Sequence, residues 1–117
     1  MGEYRTLRFV GRARGELKEL PRAVYAEAGR WLNMVQDGKE PPDWKPMTSI
    51  GQGVAELRLR DSTGAYRVIY VAKFAEAVYV LHSFEKKSQK TSRQDLDIAT
   101  TRYRDLLRQR AHHRGIR

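Results

Sequence analysis

Three arginines flank one turn of the chain and could together bind a phosphate group. Arg58 and Arg60 are two residues apart in one β-rich run, and Arg67 begins the next. Side chains two residues apart in a strand share a face, while the leucines between them point to the opposite face. Guanidinium groups bind phosphate oxygens in pairs and stabilise negative charge that develops on phosphorus. The spacing predicts unpaired, converging arginines, and the alternative is a solvated face on which Glu56 pairs with one of them.

A second cluster of cations follows the last apolar run. Residues 86–91 are Lys-Lys-Ser-Gln-Lys-Thr, the densest group of positive charge in the chain. The segment precedes a helical pattern, and a helix N-terminus also favours anions. We expect it to bind a polyanion together with the arginines. A loop that only keeps the protein soluble is the alternative.

His82 is the histidine best placed for proton transfer. It lies in an apolar run, where a hydrogen-bonded core histidine is the usual interpretation, but an imidazole titrates near neutral pH and could also shuttle protons. His112 and His113 lie in an arginine-rich tail and are expected to be solvated. The chain has no cysteine and no carboxylate–histidine spacing of the zinc-binding type. We therefore predict no metal and no other cofactor.

The charge balance narrows the class of partner. Lys and Arg number 23 against 14 Asp and Glu, a net charge of +9 on 117 residues. This excess favours a polyanionic partner but selects no activity. A hydrophobic content of 40% supports one folded core. No apolar run approaches a membrane span and no secretory segment begins the chain, so we expect a cytoplasmic protein without membrane contact.

The apolar pattern predicts one α+β domain over residues 1–117. A strand at 4–10 precedes a short helix at 12–19 and a longer helix from Pro21 to the Asp37-Gly38 stop. The loop 38–53 holds three of the four prolines and is expected to contain no regular element. The side chains expected to anchor this loop are Trp44, Met47 and Ile50.

The second half of the chain predicts an antiparallel meander and a closing helix. Strands are expected at 54–60, 66–74 and 78–84, the last as an inner strand because both its parities are largely apolar. A helix over 93–110 and a basic tail over 111–117 follow. We expect the helices to pack on one face of the sheet, which leaves the opposite face for binding.

These segments together resemble the phage-derived HigB branch of the RelE/ParE toxin superfamily. The resemblance lies in the order Glu-Leu-Arg at 56–58, Tyr-Arg at 66–67 and Phe-Glu-Lys-Lys at 84–87, followed by a closing helix. It is strongest over residues 54–103. The resemblance implies a small RelE-like, microbial-ribonuclease-like fold and the toxin of a type II toxin–antitoxin pair.

The resemblance also implies metal-independent cleavage of messenger RNA on the ribosome. Arg67 matches the arginine that binds the scissile phosphate, and Arg58 and Lys87 fall where other basic residues act. Attack by the adjacent 2′-hydroxyl requires proton transfers, which Lys87 or His82 could supply. The other expected RNA contacts are Arg60, Tyr66, Lys86, Ser88 and Lys90.

Partners and competing functions follow from the same resemblance. A cognate antitoxin, commonly a helix-turn-helix protein in this branch, would neutralise the toxin. A ParE-like toxin that inhibits a topoisomerase would share the fold and lack the nuclease, although the three arginines argue against it. A basic nucleic-acid-binding protein without catalysis, held by counterion release, is the third hypothesis.

Overall fold

The computed structural model describes residues 4–115. The predicted α+β class and order of elements are confirmed, and the architecture is consistent with a small RelE-like fold. No helix among these residues is long and apolar enough to cross a bilayer. In chain order the elements are β1 (Thr6–Phe9), α1 (Ala13–Lys18), α2 (Arg22–Gln36), β2 (Trp44–Pro46), β3 (Val54–Asp61), β4 (Gly64–Val71), β5 (Ala77–Lys86) and α3 (Arg93–Gly115).

The strands form one mixed sheet in the order β1-β5-β4-β3-β2. As predicted, β3, β4 and β5 pair antiparallel, and β5 lies inside the sheet where β1 adds to it in parallel. One irregularity interrupts the β4–β5 ladder. Ile69 pairs with His82 but Tyr70 pairs with Val80, so Leu81 is an extra residue in β5, a β-bulge.

Helices cover both faces of the sheet, so the prediction of helices on one face was wrong. α1 and α2 pack on the face that presents Leu57 and Val68. α3 packs on the other face, where Tyr103 and Leu106 join Val71 in a second core cluster. The physical reason is that both faces of β4 and β5 are apolar, and each must be removed from water. The end of the α3 face near the β3–β4 turn carries charged side chains and lies beyond this cluster.

The loop between α2 and β3 contains a short edge strand, whereas no regular element was predicted there. β2 pairs antiparallel with β3, with Trp44 opposite Leu57. Pro46 is tolerated because an edge strand needs ladder hydrogen bonds on one side only. Met47 and Ile50 anchor the loop in the second core cluster as predicted, but Trp44 remains 38% exposed.

The proline and glycine signals set the ends of α2. Pro21 caps its N-terminus, and Gly38 follows its C-terminus with φ of +76°. The amide of Gly38 donates to the Val35 carbonyl at 3.0 Å, as in a glycine-terminated helix. At the other end of the chain, α3 continues beyond the predicted boundary to Gly115, so most of the expected tail is helical. Residues 116–117 of that tail lie outside the described residues.

Candidate nucleic-acid interface

The sheet brings the predicted arginines onto one face in two neighbouring rows. Arg58 on β3 lies directly opposite Arg67 on β4, and Arg67 lies opposite Phe84 on β5. Side chains that are directly opposite in a sheet have Cβ atoms about 5 Å apart, so these groups are neighbours. The next row, toward the turn, is Arg60, Ala65 and Lys86. We call the four cations of these rows, Arg58, Arg60, Arg67 and Lys86, the basic face.

Arg67 is buried and paired, which corrects the prediction of unpaired guanidinium groups. Its Nε lies 3.1 Å from Oε1 of Glu56, and both side chains are less than a tenth exposed. Its Nη1 donates to the Tyr66 carbonyl at 3.0 Å. Burial lowers the pKa of the Arg67 guanidinium, while the charge of Glu56 opposes that shift. The alternative is confirmed in the pairing of Glu56 with an arginine, but this pair is excluded from water and is not solvated.

The ion pair between Glu56 and Arg67 lacks a hydrogen bond. Its Oε1 is buried and has no hydrogen-bond partner, although Arg67 Nε is close, because the N–H direction does not fit a hydrogen bond. The contact is therefore an ion pair in a dry environment without the added hydrogen bond. Nη2 of Arg67 makes no hydrogen bond among the described residues.

The two outer arginines are more accessible than Arg67. Arg58 is 41% exposed, and its Nε lies 3.8 Å from Oδ1 of Asp43, an exposed residue. A pair of this kind contributes little to stability because water screens it. Arg60 is exposed and forms no ion pair among residues 4–115. The predicted convergence thus holds for the backbone positions, with Arg67 at the bottom and Arg58 and Arg60 at the surface.

The lysine segment forms a pocket of about 400 Å³ beside the basic face. Lys86 donates from Nζ to the carbonyls of Ser88 and Gln89, so this predicted RNA contact also holds the loop in place. The hydroxyl of Ser88 is also engaged, by the Lys90 carbonyl at 2.7 Å. Lys87 and Lys90, in contrast, are exposed cations, as the sequence predicts. The lining comprises Phe84, Glu85, Lys86, Lys87, Ser88, Lys90, Ser92 and Asp95, of which Lys87 and Lys90 are exposed.

Tyr66 does not belong to this surface, which corrects its prediction as an RNA contact. Successive residues of a strand point to opposite faces, so Tyr66 points to the α1 and α2 side when Arg67 points to the α3 side. Tyr66 is only 5% exposed, and its hydroxyl lies 2.7 Å from Oγ1 of Thr63. Phe84 occupies the aromatic position on the basic face. Strict alternation along β5 could not place Phe84 on this face, because the extra residue at Leu81 moves the residues after it to the opposite face.

His82 lies between two carboxylates in the interior. Its Nδ1 is 2.8 Å from Oε1 of Glu16 and its Nε2 is 2.7 Å from Oδ1 of Asp95. Both ring nitrogens therefore contact carboxylate oxygens. The side chain is 5% exposed, and a proton transfer to substrate would require one of these bonds to open. The geometry favours a core histidine, and the catalytic role of His82 stays a prediction.

Arg102 completes this cluster and fixes Glu16. Its two terminal nitrogens donate to the two carboxylate oxygens of Glu16 at 2.8 and 2.9 Å. Burial alone would raise the pKa of Glu16, but hydrogen bonds from His82 and Arg102 outweigh it and lower that pKa to about 2. We call Glu16, His82, Asp95 and Arg102 the buried charge network.

The network also satisfies the part of β5 that extends beyond β1. Arg102 donates to the Leu81 carbonyl at 2.9 Å, and the amide of Ser83 donates to Glu16 Oε1 at 3.3 Å. Unpaired backbone groups at a buried strand edge are costly, so these contacts replace the missing ladder. Sequence analysis missed Glu16 and Arg102. They lie 86 residues apart, and no local spacing connects them.

The basic face is suited to bind phosphodiesters. It offers guanidinium groups for phosphate oxygens and exposed lysine cations at its border, while the Phe84 ring is buried against His82. No group of three or more metal-ligating side chains occurs within residues 4–115. The arrangement can therefore place cations around a phosphate and stabilise charge on it.

Comparison with known proteins gives the family. A family model described as phage derived protein Gp49-like matches residues 15–104, a range that includes the basic face, the lysine pocket and the buried charge network. No curated protein matches the chain. Because the matched range is well over half of the chain and contains every element of the site, the protein belongs to the Gp49-like family of phage-derived proteins.

Proposed function

We propose that the protein is a toxin of the HigB-like branch that cleaves messenger RNA on the ribosome without a metal. The observation that carries the proposal is the cross-strand neighbourhood of Arg58 and Arg67 beside the lysine pocket. Membership of a phage-derived family supports the same conclusion.

Phosphate binding is assigned to the arginines according to their burial. Arg67 lies at the bottom of the face with Glu56 holding its Nε, which leaves Nη2 to meet a phosphate oxygen. A buried guanidinium interacts more strongly with a developing negative charge than an exposed one, because the local dielectric is low. Arg58 adds a second, more mobile cation from the adjacent strand.

Proton transfer is assigned to Lys87, and positioning of the substrate to the ribosome. Lys87 is exposed at the pocket rim, whereas both nitrogens of His82 are engaged. Cleavage by the adjacent 2′-hydroxyl needs in-line geometry, and an external surface that holds the RNA can provide it. We also propose that a helix-turn-helix antitoxin neutralises the protein.

Translation in a cell extract tests this proposal. Arg67→Ala and Arg58→Ala proteins should each lose at least about 100-fold of the rate of mRNA cleavage, the usual cost of removing a transition-state donor. Arg104→Ala is the matched control, because Arg104 is exposed on α3 and away from the basic face. Mapping of RNA ends after brief exposure identifies cleavage. Equal arrest by the parent and both site variants would show that the assignment is wrong.

A nucleic-acid-binding protein without catalysis is the second candidate. The Glu56–Arg67 pair favours it, because a guanidinium that already has a carboxylate neighbour has less charge to offer a transition state. In that case the purified protein binds RNA with an affinity that depends strongly on salt, and no new RNA ends form. Supercoiling assays with a purified topoisomerase distinguish the ParE-like hypothesis from both.

A further inference from the structure

The outer edge of β1 offers unused backbone groups. β1 is an edge strand and pairs only with β5. The Val10 amide donates to the Val80 carbonyl, whereas the Arg5 amide donates away from β5, to the Gln36 carbonyl. Groups of successive residues alternate between the two edges of a strand. Leu7 and Phe9 therefore direct their N–H and C=O groups outward, and no hydrogen bond from residues 4–115 reaches them.

Two cavities flank this free edge, one on each face of the sheet. On the α1 and α2 side an apolar groove of about 480 Å³ is lined by Leu7, Phe9, Leu17, Tyr25 and Leu32. On the α3 side a pocket of about 690 Å³ has a mixed lining, with apolar side chains such as Val10 and Leu106 beside the charged Arg8, Glu76 and Arg110. The edge thus has a largely apolar groove on one side and a pocket of mixed lining that contains Arg8 on the other.

The charged side chains in the pocket on the α3 side indicate which chemical group it can bind. Glu76 already neutralises Arg110, with Oε2 at 2.7 Å from its Nε. Arg8 is exposed and has no ion pair among the described residues. A carboxylate is the complementary group for Arg8. Arg14 and Lys18 line the apolar groove and add positive charge beside it.

We propose that β1 receives an extended segment of a partner protein as an additional strand, with alternating apolar and acidic side chains. Strand addition uses main-chain hydrogen bonds for affinity and pockets for alternate side chains for specificity. Alternation would place apolar side chains in the groove at Leu7 and Phe9 and carboxylates beside Arg8. A second copy of this chain is disfavoured, because it would bring two Arg8 side chains together. The proposal is independent of the nuclease activity.

A blocked eight-residue peptide of alternating valine and glutamate is the probe. Binding to the full-length protein should protect the amide protons of Leu7 and Phe9 from exchange and leave that of Arg8 unchanged, because Arg8 already faces β5. Two control peptides carry N-methyl groups at every valine or at every glutamate. In an extended peptide the valine amides lie on one edge and the glutamate amides on the other, and only one edge can pair with β1. One of the two methylated peptides should therefore lose binding and the other keep it.

Arg8→Glu and Arg104→Glu change the net charge equally and separate a specific contact from general attraction. Arg8→Glu should weaken peptide binding about tenfold, while Arg104→Glu should leave it nearly unchanged at physiological salt. Equal effects of the two variants, or equal binding of both methylated peptides, would overturn the proposal. Protection of Leu7 and Phe9 that rises with protein concentration in the absence of peptide would identify a second copy as the occupant instead.

Discussion

Nε2 of His82 lies 2.7 Å from Oδ1 of Asp95, and this contact joins the inner strand β5 to the first turn of α3. Ser92 binds the other carboxylate oxygen of Asp95 at 2.7 Å, so the start of the helix is held from two directions. Asp95 also lines the lysine pocket. The buried charge network therefore fixes one wall of the lysine pocket, and Asp95 is its only member that lines this pocket.

Replacement of His82 should destabilise the protein strongly. His82→Ala removes the buried group that Glu16 and Asp95 share, and although Arg102 and Ser92 still contact these carboxylates, loss of a buried hydrogen-bonding partner costs about 1–3 kcal/mol of unfolding free energy. His112→Ala, at an exposed position, is the control and should change stability by less than about 0.5 kcal/mol. Urea denaturation measures both. A His82→Ala protein as stable as the control would contradict a structural role for the network.

Acid should remove the contribution of Glu16 within a defined pH range. Its pKa is about 2 in the folded protein against 4.5 for the free side chain, so the unfolded state takes up the proton first. The stabilisation is fully present above about pH 4.5 and is lost as the pH falls through about 2. The difference in unfolding free energy between the parent and Glu16→Gln should therefore shrink over this range. Glu76, with a pKa also lowered to about 2, is common to both proteins and cancels in the difference.

Glu56→Gln should release Arg67 from its counter-charge. We expect the variant to be less stable, because a buried guanidinium is left with only a neutral neighbour. We also expect it to bind single-stranded RNA several-fold more tightly at low salt, since one more cation is free for phosphate. Thermal unfolding and fluorescence anisotropy measure the two effects. Glu19→Gln, at an exposed position on the other side of the sheet, is the control, and unchanged affinity in Glu56→Gln would argue against Arg67 as a phosphate ligand.

Two glycine substitutions should change stability in opposite directions. A Cβ at Gly51 would lie 2.2 Å from Cε2 of Tyr103, so Gly51→Ala should push α3 away from the loop and destabilise the protein. A Cβ at Gly29 meets nothing within 4 Å in the exposed face of α2, so Gly29→Ala should stabilise it by up to about 1 kcal/mol. Thermal unfolding of both variants tests the packing of Tyr103 on the loop. A neutral Gly51→Ala would show that this contact is loose.

The helices and the meander could be predicted because their signals are local. Pro21 and Gly38 bound α2 in sequence as they do in the structure. β2 could not be predicted in the same way. Its pairing depends on the partner strand β3, and a segment with Trp44 and Pro46 has no strand pattern of its own.

The candidate site was only partly predictable for a related reason. Alternation along β3 and β4 correctly placed Arg58 and Arg67 on one face. It could not show that Glu56 would be buried with Arg67, because burial depends on the tertiary fold and not on alternation along one strand. The partners of His82 are 66 residues away on one side and 13 on the other, so only the tertiary fold reveals them.

The bulge at Leu81 adds one residue to β5 and so determines which side chains of that strand lie on the same face as Arg67. Without this extra residue, strict alternation would turn Phe84 and Lys86 toward α1 and α2, together with Val78 and Val80. A one-residue deletion there would thus exchange the two sides of the outer half of β5. The chain would keep every cation and lose the surface that they share, so a relative with one residue fewer near Leu81 would lack the basic face even where all the basic residues are retained.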